Sequence, residues 1–267
     1  MADSIAIRGV RRVGRWTLAG VADVGAVSIL ILGVLRALVP GLRSWRLLVQ
    51  QMYAIGVGSL GLVFVVSVFT GAVAAVQAAY QFSNVVPLKY LGAVILRSVI
   101  IELGPVLTAL VVGGRVGASI AAELGTMKVT EQIDALRAMG ISPVRFLVVP
   151  RVVASTIMLP VVTIFANFLA ILGGAAVAIY SIGVAPHTYV VGLKQFFYVK
   201  DLASGLMKAF VFGGIIGIMG SYFGFATEGG AEGVGNATRR AVVASCVLVL
   251  VSDYFLAHIL FRLIFRE

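Results

Sequence analysis

The chain has 267 residues, of which 60% are hydrophobic and only 12% are charged, and its mean hydropathy is +1.07. Soluble globular domains carry roughly 25% charged residues, so this composition excludes a soluble enzyme and indicates an integral membrane protein. The net charge of +10 does not indicate a nucleic-acid partner, because the basic residues are grouped beside apolar runs, as in cytoplasmic loops.

The first basic group surrounds residues 24–35, an uncharged stretch of twelve near the N-terminus. A membrane span needs about 20 apolar residues, so this stretch predicts an interfacial helix, with a re-entrant element as the alternative. A signal peptide is a further alternative, but Asp23 interrupts its apolar part. Residues 1–46 are therefore assigned to an N-terminal interfacial segment and residues 47–267 to a transmembrane domain.

Long apolar runs predict five spans, near residues 52–79, 90–114, 152–180, 202–225 and 241–263. The run from 152 to 193 could hold two spans, but its centre has little turn chemistry, so one long helix is preferred. The predicted fold is all-α, an interfacial helix plus five transmembrane helices. Because basic segments stay inside, the N-terminus is expected in the cytoplasm and the C-terminus in the periplasm.

Small residues recur at helical spacing in the fourth predicted span, at Gly213, Gly217, Gly220 and Gly224. Small side chains let membrane helices approach closely. These glycines therefore predict close helix packing, and a dimer seam that opens for a lipid tail would need the same residues.

The second basic group belongs to residues 121–150, called here the charged segment, between the second and third predicted spans. Thr130 is a good N-cap, Glu131 places negative charge near the positive end of a helix dipole, and Gly140 suits the position after a helix. These signals predict a short cytoplasmic helix over residues 131–139.

The predicted helix has two faces. Ile133, Leu136 and Met139 share one face, and Asp134 and Arg137 can pair on another. Helices below roughly 12–15 residues are marginal in water, so this one must dock on something. An ordered loop that rests on its own helix ends is the simplest interpretation.

Several charged residues fall inside predicted spans, among them Arg97, Glu102, Lys208 and Asp253. Ionisable groups at such depth usually face a partner or a water-filled cavity. Glu102 and Lys208 could pair across the second and fourth spans, either as a structural ion pair or at a lipid headgroup. Arg97 is placed near the outer end, where its long side chain can reach the membrane surface.

Three residues near the outer end of the first span, Gln77, Tyr80 and Phe82, could contact a lipid headgroup or an outer partner. Aromatic residues occupy this depth in most membrane proteins. The assignment therefore depends on their position alone.

Residues 114–136 read GRVGASIAAELGTMKVTEQIDAL and resemble the signature of the MlaE/YrbE family, the permease subunits of ABC transporters that work with MCE-domain proteins. Three more segments resemble family sequence: residues 102–107, 137–141 and 236–243. The resemblance covers nearly the whole chain from about residue 47. The family often has a basic residue before the matching glutamate, where this chain has Ile101, so the neutralisation of Glu102 is left open.

The resemblance implies a homodimeric permease that moves lipid, with phospholipid expected, between a bacterial inner membrane and an MCE-domain protein on its outer side. A cytosolic ABC ATPase dimer would bind ATP and Mg and drive transport. No cofactor is expected in this chain, which contains no G-x-x-x-x-G-K-[ST] motif.

In this family the charged segment is the coupling helix, seated in a groove of the ATPase. The residues expected to take part in coupling are Glu123, Thr130, Glu131, Asp134, Leu136, Arg137 and Gly140. The family also carries charge at positions that match Glu102, Lys208, Arg240 and Asp253, which with Arg97 are candidates for the lipid pathway.

Two other functions are weighed against the permease. An ATPase-independent secondary transporter or channel for a hydrophobic substrate is disfavoured by the missing inverted repeat and the five spans. A membrane-embedded enzyme would need a cluster of reactive groups, but His187 and His258 are far apart and Cys246 is the single cysteine. No catalytic residue and no metal site are therefore predicted.

Overall fold

The computed structural model describes residues 2–82 and 87–264, and all regular structure within them is helical. The helices are α1 (Ala2–Leu42), α2 (Trp45–Gly56), α3 (Leu60–Phe82), α4 (Leu91–Ser98), α5 (Gly104–Val129), α6 (Gln132–Ala138), α7 (Val149–Tyr180), α8 (Pro186–Gln195), α9 (Val199–Phe225) and α10 (Gly230–Ile264). Two wider π-helical turns, Val99–Leu103 and Val144–Val148, precede α5 and α7. The all-α membrane fold is confirmed.

Six helical segments in the described ranges are long and apolar enough to cross a membrane. Five of them coincide with the predicted spans: Trp45–Phe82, Leu88–Val129, Val144–Tyr180, Val199–Phe225 and Gly230–Arg262. α7 is unbroken, and the chain turns at Gly183, with φ 82°, before the short α8. Residues 152–193 therefore hold one span and not a hairpin, as predicted.

Glycines bring α9 into backbone contact with its neighbours, so their predicted packing role is confirmed. A side chain at Gly213 would overlap the backbone of Ser155 in α7, and one at Gly217 would overlap Val152. Gly220 and Gly224 make the same close approach to α5. The two contacts with α7 show that α9 runs antiparallel to it, since the later glycine meets the earlier residue of α7. Tyr222 follows Gly217 by five residues and is therefore level with the first turn of α7.

α1 lies across the bundle at this level and not along it. The hydroxyl of Tyr222 donates a hydrogen bond to Asp23 of α1 at 2.7 Å, and Gly41 of α1 packs against Val149 at the start of α7. The helix between Asp23 and Gly41 is about 27 Å long at 1.5 Å per residue. Both of its ends nevertheless contact the same level of the bundle, so α1 crosses it sideways.

This placement agrees with the interfacial helix predicted at the N-terminus. The helix is longer than the predicted stretch 24–35, and its part Gly20–Leu42 is the sixth segment with the length and hydropathy of a span. The predicted stretch ends at residue 35 because Arg36 interrupts the apolar run. In the structure the side chain of Arg36 is exposed, so the helix continues past it.

Candidate functional site

The charged segment contains the seven-residue helix α6, which begins later than predicted. Thr130 is not its N-cap, because Thr130 ends α5 and its hydroxyl donates to the carbonyl oxygen of Thr126 at 2.8 Å. Glu131 occupies the N-cap position in the left-handed region, at φ 59°. Threonine readily bonds back to the carbonyl four residues earlier, and here that bond replaces the capping bond.

The end of α6 matches its prediction. Gly140 has φ 74°, its N–H donates to the carbonyl of Arg137 at 3.0 Å, and the N–H of Ile141 donates to that of Leu136 at 2.9 Å. These two bonds form a Schellman motif, which requires the left-handed conformation that glycine adopts without strain. The motif gives α6 a defined end.

One side chain anchors α6 to the membrane domain. Ile133 is 1% exposed and lies in the same buried cluster as Leu124 and Leu147, with Leu136 packed against that cluster. Met139 was predicted on this face but is 65% exposed, because it is the C-cap, beyond the last helical residue. A helix of this length is unstable alone, so its position depends mainly on Ile133.

Beside Ile133, the exposed surface of α6 carries an ion network around Asp134. Its carboxylate contacts the guanidinium of Arg137 at 3.0 Å, as predicted, and the ammonium of Lys128 at 2.9 Å. The hydrogen bond from Lys128 lowers the pKa of Asp134, and the charge of Arg137 adds to this effect. Lys128 was missed, because the left-handed turn at Glu131 that brings it close has no periodic signal in the sequence.

Glu123, expected to act in coupling, joins two transmembrane helices. Its carboxylate accepts hydrogen bonds from Arg151 of α7 at 2.9 Å and from Ser119 at 3.2 Å. Arg151 is buried and also donates to the carbonyl of Leu147 at 2.9 Å. Glu123 therefore holds the end of α5 against the start of α7, the two helices that α6 connects.

A second group of charges lies within the membrane domain. The ammonium of Lys208 is 2.6 Å from the carboxylate of Glu102 and 2.9 Å from that of Asp253, so these three residues form what is called here the ion cluster. Lys208 is fully buried, whereas the side chain of Glu102 is 43% exposed. The predicted pair is confirmed, Asp253 joins it, and the two carboxylates share the single positive charge of Lys208.

The π-helical turn Val99–Leu103 positions Glu102 in this cluster. Asn167 of α7 is buried against Gly104, just after the turn, and a side chain at Gly104 would overlap the amide oxygen of Asn167. Neither amide atom of Asn167 has a hydrogen-bond partner in the structure. Extra turns of this kind often mark functional sites, and nothing in the hydropathy of the sequence indicates one here.

Arg97 does not join the ion cluster. Its guanidinium pairs with Asp201 at 3.0 Å and lies 5.7 Å from the ring centre of Tyr198. Asp201 is 2% exposed and was missed. The sequence did contain a signal for this pair. The second and fourth spans run parallel, and two charges of each meet those of the other: Arg97 and then Glu102 on the second, Asp201 and then Lys208 on the fourth. The charges are therefore complementary in the same order.

The other predicted residues are not brought to the ion cluster. Arg240 is exposed at the start of α10, and Gln77 and Tyr80 are exposed at the end of α3. Phe82 packs against a buried cluster that includes Leu91. Within the described ranges, no three His, Cys, Asp or Glu side chains are grouped so that they could hold a metal ion.

Comparisons with known proteins agree with this architecture. The family model of permease MlaE matches residues 48–259, which include α6 and the ion cluster. A "Probable ABC transporter permease protein" of Rickettsia typhi is 39% identical over 250 residues, 94% of this chain and 96% of that protein. A protein of the same description from Synechocystis sp. is 38% identical over 213 residues, 80% of this chain and 81% of its own length.

A plant relative extends the similarity beyond bacteria. The chloroplast protein TRIGALACTOSYLDIACYLGLYCEROL 1 of Arabidopsis thaliana is 34% identical over 237 residues, which cover 89% of this chain and 68% of that protein. Both the family model and the bacterial relatives cover most of the chain. This chain therefore belongs to the MlaE family and is an ABC transporter permease.

Proposed function

We propose that this permease moves lipid, with phospholipid as the expected class, between a bacterial inner membrane and an MCE-domain protein on its outer side. Two copies of the chain assemble with a cytosolic ATPase dimer, which binds ATP and Mg and acts on α6. The N-terminus lies in the cytoplasm and the C-terminus in the periplasm. Membership of an ABC permease family argues against the ATPase-independent transporter.

The observation that carries the proposal is the construction of α6. It is buried at Ile133 and charged on its exposed side, where Asp134 and Arg137 face outward. Its two connections lead to α5 and α7, which the pair of Glu123 and Arg151 holds together. A force on the exposed side is therefore transmitted to two transmembrane helices and is not absorbed by a loose loop.

Reversal of charge on α6 tests this coupling. Asp134→Lys breaks the contacts to Lys128 and Arg137 and changes the charge presented to the ATPase. In the reconstituted complex we expect ATP hydrolysis to continue while ATP-driven lipid transfer is lost. Glu232→Lys is the matched control, because it reverses an exposed acidic residue of α10 that takes no part in the ion pairs of Asp134; unchanged transfer in Asp134→Lys would contradict the coupling role.

Lipid as the substrate is supported by the ion cluster and by the name of the plant relative. The cluster presents the half-exposed carboxylate of Glu102 beside the buried ammonium of Lys208 inside an apolar bundle. Such a pair could interact with a polar headgroup that moves past apolar helices. The name of the Arabidopsis relative contains that of a lipid, trigalactosyldiacylglycerol.

A second copy of the chain is supported by the exposure of α10. It is the least buried of the five predicted spans, whereas half of the most apolar part of α7 is buried. Its exposed side chains form a stripe that includes Val243, Val247, Leu250 and Tyr254. Helices that pack against a partner need such a surface.

Native mass spectrometry of the purified complex tests substrate and assembly together. We expect two permease chains, two ATPase chains and bound phospholipid in one particle. A permease monomer without any associated ATPase would contradict the proposal.

A further inference from the structure

An apolar groove runs between the crosswise helix α1 and the bundle. Its cavity volume is about 420 Å³, within the range of roughly 300–1,000 Å³ that is usual for ligand pockets. Three helices line it: α1 with Ile31, Val34, Leu35, Leu38 and Leu42, α7 with Val152, Val153, Thr156 and Ile157, and α9 with Phe210, Gly214 and Ile218.

The groove is separate from the ion cluster, although α9 contributes to both. The α9 residues that line it, Phe210, Gly214 and Ile218, follow one another at four-residue intervals and form one face of the helix. Lys208 precedes Phe210 by two residues, and at 3.6 residues per turn it projects from the opposite face. A ligand in the groove therefore does not occupy the proposed lipid pathway.

The interior of the groove offers no free hydrogen-bond donor. Thr156 is the one lining residue with a polar side chain, and its hydroxyl already donates to the carbonyl of Val152 at 2.7 Å, so that only its oxygen is left as an acceptor. A fatty-acid carboxylate, which can only accept, would find no partner there, at a cost that disfavours burial. The rest of the interior fits hydrocarbon.

The backbone of two arginines lies at one end of the groove. Arg43 directly follows the lining residue Leu42, and the backbone carbonyl of Arg145 is 3.5 Å from where a side chain of Gly41 would begin. Both arginines are exposed, and neither pairs with an acidic residue in the described part of the chain. An apolar slot with unpaired cations at its mouth complements a lipid with an anionic headgroup.

We propose that the groove is a resident binding site for an anionic glycerophospholipid, with acyl chain under α1 and headgroup phosphate on Arg43 and Arg145. The occupant is not a helix of a second copy, because this volume holds only about one turn of a helix roughly 10 Å across. The inference does not rest on the proposed function, since the lipid is a fixed component and not the cargo.

The position of this lipid connects it to the charged segment. Val34 of α1 packs against Val148, Val149 and Val152, at the point where the chain from α6 enters α7. A lipid beneath α1 therefore supports the helix that covers this connection.

Lipid retention by the purified, delipidated permease complex tests the site. The probes are phosphatidylglycerol and phosphatidylcholine with identical acyl chains, measured by native mass spectrometry. The wild type should retain phosphatidylglycerol preferentially. The double variant Arg43→Gln, Arg145→Gln should lose this preference by about thirtyfold, since each of the two basic residues near a membrane surface contributes about 1 kcal/mol. Arg262→Gln, which removes an exposed arginine of α10, should not.

Filling the groove tests the acyl-chain position. A side chain at Gly214 would have only the hydroxyl of Thr156, at 3.5 Å, as a neighbour, so Gly214→Phe extends into the groove. It should abolish retention of phosphatidylglycerol, whereas Gly61→Phe, on α3 with no neighbour within 4 Å, should leave it unchanged. Wild-type retention in Gly214→Phe would overturn the site, as would equal retention of the two lipids by the wild type.

Crosslinking removes the dependence on a folded variant. Phosphatidylglycerol with a photoreactive acyl chain should label the wild type within residues 31–42, 152–157 and 210–218, which line the groove. Labelling confined to other helices would overturn the proposal. A change of subunit number in Gly214→Phe without loss of lipid would also overturn it, because the groove would then be a protein interface.

Discussion

The ion network around Asp134 on α6 and the ion cluster are built from the same kinds of charged side chain, but one network is exposed and the other is buried around Lys208. Asp134, Lys128 and Arg137 keep 30% to 59% of their side-chain surface exposed, whereas Lys208 is fully buried between Glu102 and Asp253. Exposed ion pairs contribute about 0–1 kcal/mol, but removal of one partner from a buried pair costs about 3–5 kcal/mol. The two groups therefore serve different purposes.

The difference indicates where each group acts. At α6 the buried contact of Ile133 provides the stability, and the charges are free to meet a partner. In the ion cluster the charges themselves join the π-helical turn to α9 and α10, so a polar ligand that competes for Lys208 would loosen three helices together.

The largest effect should come from Lys208→Met, which leaves two carboxylates facing each other inside the bundle. We expect a loss of about 3–5 kcal/mol of stability, measured by thermal unfolding in detergent. Lys200→Met, at an exposed lysine of the same helix, is the control and should change little. Unfolding of Lys208→Met at the wild-type temperature would contradict the difference between the two groups.

The next effect should come from Ile133→Ala, which removes the buried contact of α6. Truncation of a buried isoleucine costs about 2–5 kcal/mol, and here the loss should be local, as faster hydrogen exchange in residues 132–138 and weaker ATP-driven transfer. Met139→Ala, at an exposed residue of the same segment, should exchange like the wild type. Equal exchange rates in both variants would mean that α6 does not depend on Ile133.

A smaller effect is expected from Gly104→Ala, beside the turn that positions Glu102. The added methyl group overlaps Asn167, and such overpacking costs about 1–3 kcal/mol. Asn167→Ala in the same chain should restore part of the unfolding temperature, because the methyl group still lies 2.8 Å from the backbone carbonyl of Val99. Gly114→Ala, on the same helix with no neighbour within 4 Å, is the control and should be neutral or slightly stabilising; a loss of stability there would mean that an added methyl group destabilises this helix without any contact to Asn167.

The smallest effect concerns pH at α6. Because Lys128 and Arg137 lower the pKa of Asp134, the folded state favours the ionised carboxylate. The resulting stability is complete above the pKa of the unfolded chain, about 4, and is lost as the pH falls through the lower folded value. Intrinsic-rate-corrected exchange in α6 should therefore be constant from pH 5 to 8 and rise only below about pH 4; a transition near neutral pH would show that another group controls α6.

Hydropathy and capping signals were sufficient for several features. The five spans, the single span within residues 152–193 and the end of α6 at Gly140 each depend on local sequence, and each is present in the structure. The pair of Glu102 and Lys208 was also foreseen, because charges in apolar spans must find partners.

Features that depend on register between helices were not foreseen. Lys128 reaches Asp134 only through the left-handed turn at Glu131, and Asp201 meets Arg97 only because two spans run parallel. The groove under α1 required knowledge that this helix lies crosswise. The predicted start of α6 was wrong for a local reason. The hydroxyl of Thr130 can either cap α6 or bond to a carbonyl of α5, and here it bonds to that of Thr126.

The π-helical turn Val99–Leu103 holds one residue more than an ordinary helical turn, which hydropathy cannot detect. A π-helical turn is wound less tightly than an α-helix, and over its five residues the difference amounts to about the rotation of one residue. Deleting one residue there would therefore return the second span to ordinary winding and leave the two flanking segments almost in their present register. Arg115 could keep its contact with Ser59, whereas the wide turn that presents Glu102 to Lys208 would be lost. In relatives aligned through this stretch, a single-residue deletion should therefore alter the ion cluster and spare the rest of the span.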